Sequence, residues 1–259
     1  MGSLAHGGFS ELVSDIDLGV ILSDPLLPED AAVIRVGTER ERTKASPLYE
    51  RLSVFWGTRS TLSGETEGGR FPPLDRLDLI ENGRLLLGVD ARAGLTRPGA
   101  DELMVAGAEF ALELLIGVSR PAEASGGRPG SRGPVGADTV EQIRRPDLLI
   151  AQGVRRLTKL VLFPVRFLFT AATGHVGTND DAAAWYVEQD GVPSAALVSA
   201  ALAWRNTPPV DSQAAAKLLG DQIVPLYLYY VDDHVARLDA LRMSELAQAF
   251  AQLRNRIGG

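Results

Sequence analysis

The sequence predicts an α+β (α/β-type) domain with a small mixed sheet, followed by an all-α helical-bundle domain. Three observations favour this division of the 259 residues. Short apolar, β-branched segments separated by turn residues dominate the first part of the chain. A stretch rich in Gly, Pro and Ser follows over 119–137. Beyond it, apolar residues recur at helical spacing almost to the end. The predicted domains are therefore 1–118 and 138–259, joined by this linker.

The strands of the first domain are expected in short apolar segments. Residues 16–22 and 52–56 combine β-branched and aromatic side chains and predict two strands. Residues 31–36 fit either another strand or a short helix, and 84–88 predict an edge strand. Apolar residues at helical spacing over 74–83, after two prolines and before Asn-Gly, predict a short amphipathic helix.

The remaining segments are predicted to be helical. Residues 101–117 form a long apolar stretch that predicts the last helix of the first domain. The helices expected beyond the linker cover 139–174, 178–189, 193–205 and 211–256, the last with a break near Pro225.

Composition and charge exclude several classes of protein. The chain has no cysteine, which excludes disulfides and thiolate metal sites, and its three histidines are widely scattered. A net charge of −7 argues against a general nucleic-acid surface. No signal peptide precedes the first motif, and the most apolar run, 160–173, is too short to span a bilayer. We therefore expect a cytoplasmic protein without membrane partners.

Two aspartates stand at the start of the first predicted strand. Asp15 and Asp17 are two residues apart, so on an extended strand both carboxylates point to the same face. Two adjacent carboxylates repel each other unless a cation lies between them, and hard divalent cations prefer oxygen ligands. Gly2 and Ser3, at the start of a predicted helix, offer backbone N–H groups and a hydroxyl that suit a phosphate. Together these residues predict a metal–nucleotide site.

This arrangement resembles the motif of the nucleotidyltransferase superfamily, which has a polymerase-beta-like domain. Gly2-Ser3-Leu4-Ala5-His6-Gly7 and Ser14-Asp15-Ile16-Asp17-Leu18 match the Gly-Ser and Asp-x-Asp parts, with His6 where arginine is common. The resemblance implies that Asp15 and Asp17 hold two Mg²⁺ ions and that Gly2 and Ser3 bind the β- and γ-phosphates of an NTP, expected to be ATP. It further implies transfer of a nucleoside monophosphate to an acceptor hydroxyl with release of pyrophosphate.

The resemblance also implies a third carboxylate, as a metal ligand or general base, on a neighbouring strand. The predicted strand 52–56 has Ser53 and no acid, although Glu50 lies just before it. Asp75 and Asp78 follow a Gly-rich loop, and each also fits the polar face of the helix 74–83. We choose Asp75 as the third catalytic residue because Pro72-Pro73 can hold it at the head of that helix.

In the superfamily a strand leads into the Gly-Ser pair, whereas here Met1 precedes it directly. We therefore expect either a gene start placed too late or a sheet that lacks its usual first strand. In the second case the phosphate loop would be poorly held.

The second domain resembles the helical domain of aminoglycoside (streptomycin/spectinomycin-type) adenylyltransferases. The resemblance lies in Arg166, the helix end Thr173-Gly174 and the segment Ala182-Ala-Ala-Trp185. Two features depart from the pattern. Asn179 stands near the place of a lysine, and 155–159 is basic where those enzymes carry acidic residues that hold the cationic drug. An aminoglycoside acceptor is therefore disfavoured, which leaves a small molecule, a protein or RNA.

Further basic residues flank this segment. The whole set is Arg144, Arg145, Arg155, Arg156, Lys159 and Arg166. These residues fit the ordinary charge of helix surfaces. They also fit a role in binding the triphosphate or an anionic acceptor.

Three functional hypotheses follow. The first is a Mg²⁺-dependent nucleotidyltransferase. The second is a non-catalytic nucleotide-binding protein or toxin–antitoxin partner on the same fold, which the unlocated third carboxylate and the missing first strand leave open. The third is a structural helical protein in which the motif occurs by chance.

Overall fold

The computed structural model describes residues 1–117 and 139–259, so the predicted linker 119–137 lies outside the described residues. Contacts divide the described chain into a first unit, Met1–Gly99, and a second unit made of 100–117 and 139–259. The helix Ala100–Ile116 therefore groups with the second unit, whereas the sequence analysis assigned it to the first. Its apolar side chains, Leu112 among them, are part of the core of the helical unit.

The first unit contains a parallel pair of strands and five helices among its described residues. The two strands confirm the predictions for 16–22 and 52–56, and in their parallel register Ile16 lies opposite Leu52 and Leu22 opposite Thr58. The elements are α1 (Ser3–His6), β1 (Ile16–Leu22), α2 (Asp30–Arg42), α3 (Pro47–Glu50), β2 (Leu52–Thr58), α4 (Arg59–Ser63) and α5 (Pro73–Asn82).

The sheet differs from the predicted mixed sheet. The ambiguous segment 31–36 is helical and lies inside α2. The predicted edge strand 84–88 is irregular, and its Leu86 and Leu87 side chains are exposed. Antiparallel pairing within the described residues is limited to an isolated bridge between Trp56 and Arg70. An apolar run alone could not predict the pairing of 84–88, because a strand also needs a neighbouring backbone to bond.

One face of the sheet is covered by side chains that precede or belong to α5. The register places Gly19 beside Phe55 on this face. A Cβ added to Gly19 would lie 3.1 Å from the ring of Phe71, so this glycine allows the ring to pack directly on the sheet. Phe71 also packs against Phe55, with ring centroids 5.9 Å apart. Helix α5, whose Leu77 is fully buried, confirms the predicted amphipathic helix and lies close to β1.

The second unit is a helical bundle, as predicted. Its core is built around the buried side chains of two long helices, α9 (Val154–Thr173) and α12 (Ser212–Ala240). No helix in 1–117 or 139–259 is long and apolar enough to cross a membrane. The helices are α6 (Ala100–Ile116), α7 (Thr139–Arg144), α8 (Pro146–Ala151), α9 (Val154–Thr173), α10 (Asn179–Val187), α11 (Ala195–Trp204), α12 (Ser212–Ala240) and α13 (Ser244–Gly258).

Two helix boundaries differ from the prediction. The single helix expected over 139–174 is divided into α7, α8 and α9, with Gly153 at a positive φ of 85° before the last. The break expected near Pro225 is absent, because α12 runs through this proline. The chain turns instead after Leu241, where Arg242 has a φ of 60°.

Candidate functional site

The two aspartates of the motif lie at the beginning of β1. Asp17 is the second residue of this strand and is paired with Ser53 on β2, while Asp15 immediately precedes the strand. Both are half-buried. Both residues thus lie at the same end of the sheet, and the expectation that their carboxylates share one face stays a prediction, because Asp15 precedes the strand.

Arg51 fixes the backbone on both sides of Asp15. The carbonyl of Arg51 accepts a hydrogen bond from the Ile16 amide at 3.1 Å. The guanidinium of Arg51 donates to the carbonyl of Ser14 at 3.2 Å. Asp15 thus lies between two residues that are both bonded to the segment leading into β2. Its main chain is held in place by contacts that the motif itself does not predict.

Gly2 lies against the carboxylate of Asp17. A Cβ added to Gly2 would lie 2.1 Å from Asp17 Oδ2, far inside the van der Waals distance. Gly2 also has a φ of 67°, which side chains disfavour. Glycine is therefore required here both by the local backbone and by its closeness to Asp17. Ser3, the other residue predicted to bind phosphate, is the first residue of α1 and follows directly.

A further carboxylate, that of Asp78 on α5, reaches the same glycine. The Gly2 amide donates to Asp78 Oδ2 at 2.6 Å, and Asn82 donates to Asp78 Oδ1 at 3.0 Å. The Nε2 atom of His6 is 3.8 Å from Asp78 Oδ1. Asp78 is only 5% exposed. The Gly-Ser segment thus contacts one aspartate from β1 and one from α5.

The structure bears on the expected third carboxylate in two ways. Ser53, without a charge, occupies the position opposite Asp17 on β2. On α5, Asp75 lies in the first turn, and it is Asp78, three residues later, that bonds Gly2. The prediction of Asp75 as the third carboxylate did not include this contact of Asp78 with Gly2. The sequence carried no signal for this contact, because the burial of Asp78 beside Leu77 follows from the packing of α5 on the sheet.

The donor set suits Mg²⁺ if phosphate oxygens complete the coordination. Among the described residues, no group of three His, Asp or Glu side chains is placed to hold a metal ion. Mg²⁺ in phosphate-transfer sites is commonly bound by one or two carboxylates, with water and substrate phosphates as the other ligands. Asp15 and Asp17 provide two carboxylates at one end of β1. These residues therefore fit a Mg²⁺ ion that arrives with a triphosphate better than a permanently bound ion.

The segment that resembles the adenylyltransferase bundle is a helix–turn–helix connection. Gly174 adopts the left-handed conformation that ends α9 after Thr173, and Thr178 caps α10 through a reciprocal capping box with Asp181. Asn179, which stands near the place of a lysine, is the first residue of α10. The requirements of ending α9 and capping α10 are sufficient to explain why these residues occur here.

The basic cluster divides into different environments. Arg156 is directed inward and donates to Gln142 Oε1 at 3.0 Å and to Thr139 Oγ1 at 2.8 Å. Burial lowers the pKa of its guanidinium. Arg145 instead forms an exposed ion pair with Asp147, which raises the pKa of the arginine. Arg156 is thus a structural bridge between α7 and α9, and only the other members fit a solvated surface.

Neither a scan of protein-family models nor a search of curated proteins gives a match to this chain.

Proposed function

We propose that the protein is a Mg²⁺-dependent nucleotidyltransferase that moves a nucleoside monophosphate from an NTP, expected to be ATP, to an acceptor hydroxyl. The observation that carries the proposal is the contact between Gly2 and the carboxylate of Asp17. A Cβ added to Gly2 would lie 2.1 Å from Asp17 Oδ2. Gly2, which is expected to bind phosphate, and Asp17, which is expected to bind the metal ion, lie together at one end of β1. A triphosphate with its metal ion needs both.

Each residue of the motif has a role in this proposal. Ser3 binds the β- and γ-phosphates with its hydroxyl, Gly2, whose amide donates to Asp78, leaves room for them to approach the backbone, and Asp15 and Asp17 hold the Mg²⁺ ions. When bound, Mg²⁺ neutralises charge on the triphosphate and lowers the pKa of the acceptor hydroxyl. Asp75 takes the proton of that hydroxyl. The acceptor oxygen forms a bond to the α-phosphorus, the bond from that phosphorus to the bridging oxygen breaks, and pyrophosphate leaves.

The acceptor is a hydroxyl of a small molecule, a protein or RNA. A polycationic aminoglycoside remains disfavoured, because Arg155 and Lys159 are exposed on α9 where the resemblance requires acidic residues. The inward position of Arg156 removes one of the three basic side chains of this stretch from the surface but leaves no acid in its place.

A second function is favoured by Ser53. This small hydroxyl lies opposite Asp17, where a strand-borne carboxylate would complete the metal site. A protein with two carboxylates can bind the nucleotide with its metal and transfer it slowly or not at all. The alternative is therefore a non-catalytic nucleotide-binding protein or toxin–antitoxin partner on the same fold.

Labelled nucleotide separates the two functions. The protein is incubated with Mg²⁺ and α-³²P-labelled NTPs in the presence of small-molecule hydroxyl compounds, RNA and protein acceptors, including itself. Transfer that is lost in the double variant Asp15→Ala, Asp17→Ala and kept in the exposed control Glu29→Gln supports the enzyme. Nucleotide binding that depends on the two aspartates, without transfer to any acceptor, supports the second function. Absence of binding to all four NTPs contradicts both.

A further inference from the structure

We infer that Asp78 is a positioning residue that holds the Gly2–Ser3 segment against the carboxylate of Asp17. The anchor itself is a statement about the fold of the first unit. Its consequence for nucleotide binding rests on the proposed function, because only there do Gly2 and Ser3 contact phosphates. The inference gives Asp78 a role different from that of Asp15, Asp17 and Asp75.

The burial of Asp78 requires compensating partners. A carboxylate that is 5% exposed loses most of its hydration, which is costly unless donors replace the water. The Gly2 amide supplies one donor at 2.6 Å and Asn82 a second at 3.0 Å, one to each carboxylate oxygen. His6, 3.8 Å away, adds a positive charge when it is protonated. The shortest of these contacts joins Asp78 to Gly2 of the motif, 76 positions away in the sequence.

Gly2 is constrained from two sides. On one side the Asp17 carboxylate lies so close that no side chain fits. On the other side the amide is bonded to Asp78. The backbone between them has a φ of 67°, a conformation that glycine adopts easily and leaves as easily. A charge-assisted hydrogen bond that the Gly2 amide donates to the buried Asp78 carboxylate selects one of the accessible conformations. Asp78 therefore fixes where the Gly2 and Ser3 groups point.

The two contacts give Asp78 a role within the fold. Each of its oxygens accepts a hydrogen bond, one from Gly2 and one from Asn82, and these donors fix the orientation of the carboxylate. Asp17 and Asp78 thus contact the same glycine but have different roles. Asp17 faces the metal-binding end of β1, whereas Asp78 acts on the nucleotide through the position of Gly2 and Ser3.

Nucleotide affinity measured with a non-transferable analogue tests the role. Binding of α,β-methylene-ATP is titrated at several Mg²⁺ concentrations in wild type, Asp78→Ala, Asp78→Asn and Asp17→Asn. Asp78→Ala should weaken analogue binding by about tenfold or more, the worth of one charge-assisted hydrogen bond, while the Mg²⁺ concentration for half-saturation stays the same. Asp17→Asn should raise that Mg²⁺ concentration. Asp78→Asn keeps an acceptor for the Gly2 amide and should recover most of the affinity.

The matched control is Glu81→Gln on the same helix, which removes a carboxylate that is paired with Arg97. It should leave both the analogue affinity and the Mg²⁺ dependence at wild-type values. An Asp78→Ala variant that shifts the Mg²⁺ dependence as Asp17→Asn does would overturn the inference, because Asp78 would then act as a metal ligand.

Hydrogen–deuterium exchange tests the anchor without any nucleotide. In Asp78→Ala the peptide covering 1–9 should exchange about tenfold faster than in wild type and in Glu81→Gln, while the β2 peptide covering 52–58 is unchanged. Asp78→Leu keeps the branched shape and the number of side-chain heavy atoms without an acceptor, and serves if the alanine variant does not fold. Unchanged exchange over 1–9 in both variants overturns the inference, even if the protein binds nucleotide. Faster exchange in a protein that binds no nucleotide keeps the anchor and rejects the proposed function.

Discussion

Asp17 on β1 lies directly opposite Ser53 on β2 in the parallel sheet, and Ser53 is only 3% exposed. Paired residues of neighbouring strands direct their side chains to the same face of the sheet. The position nearest to Asp17 on the neighbouring strand therefore carries a buried hydroxyl instead of a charge. This pairing decides how many carboxylates the end of β1 can offer a metal ion.

Introducing a carboxylate at this position should make the stability of the first unit depend on divalent cations. In EDTA, Ser53→Asp should lower the free energy of unfolding by about 2–4 kcal/mol, because a buried charge is placed beside Asp17. Mg²⁺ should restore part of this loss and raise the melting temperature more than in wild type. Ser53→Asn, of similar size without charge, is the control. An equal effect of Mg²⁺ on both variants contradicts a cation site at this end of β1.

Substitution of Gly2 should be more harmful than substitution of another glycine in the same segment. Gly2 and Gly7 both have positive φ, 67° and 100°, so alanine is strained at either position by about 1–3 kcal/mol. An added Cβ meets Asp17 at Gly2 but has no atom within 4 Å at Gly7. Gly2→Ala should therefore weaken the binding of Mg²⁺ and α,β-methylene-ATP at least about tenfold, measured by calorimetry. Comparable losses in Gly7→Ala would show that backbone strain alone is responsible.

The local sequence could predict those parts of the fold in which apolar residues recur at a clear helical or strand spacing. The strands at 16–22 and 52–56 and the helix α5 are confirmed because their apolar spacing and flanking residues agree.

Pro225 shows where prediction from the local sequence fails. A proline inside a helix costs about 3 kcal/mol, yet α12 continues because the next residues are buried. Tyr227 is one of them, and its hydroxyl bonds the Leu160 carbonyl at 2.8 Å. Such tertiary packing is invisible in the local pattern.

The candidate site was predictable only in its contiguous parts. Gly2, Ser3, Asp15 and Asp17 were singled out because they lie in one short motif whose spacing has a chemical meaning. The bond from Gly2 to Asp78 joins residues 76 positions apart. Which aspartate of α5 turns inward depends on how that helix packs on the sheet, and a choice between two acids three residues apart cannot be made before this orientation is known.

Arg156 should contribute to stability far more than its basic neighbours. Its guanidinium donates to Gln142 on α7 and to Thr139 at the start of that helix. Arg156→Ala leaves these acceptors without a charged donor and should lower the free energy of unfolding by about 1.5–3 kcal/mol. Arg156→Lys should recover little, because one ammonium group cannot reproduce the two directions of the guanidinium fork.

Urea unfolding followed by helical circular dichroism measures this effect. Arg145→Ala, which removes an exposed ion pair with Asp147, is the matched control and should leave the unfolding midpoint at its wild-type value. Equal midpoints for Arg156→Ala and Arg145→Ala would contradict the bridge between α7 and α9 and return Arg156 to the surface cluster.

His234 is buried among aromatic side chains of the helical unit. It is 1% exposed, lies 4.2 Å from the ring of Tyr230 and is stacked on Phe250. Burial lowers the pKa of this imidazole below 6.5, and the Asp233 carboxylate, 3.2 Å from Nδ1, opposes the shift only in part. Arg237, bonded to the same carboxylate, adds to the lowering. The folded protein therefore holds His234 neutral where the unfolded chain begins to protonate it.

The helical unit should consequently lose stability as the pH falls below 6.5. Above that pH neither state protonates His234 and its contribution is complete. Below it the unfolded state binds the additional proton, so the free energy of unfolding decreases by up to about 1.4 kcal/mol per pH unit until the folded-state pKa is reached. Urea midpoints between pH 7.5 and 5.5 measure this slope. His234→Phe retains an aromatic ring against Phe250 and should flatten the slope. The same slope in wild type and variant would mean that another group carries the pH dependence.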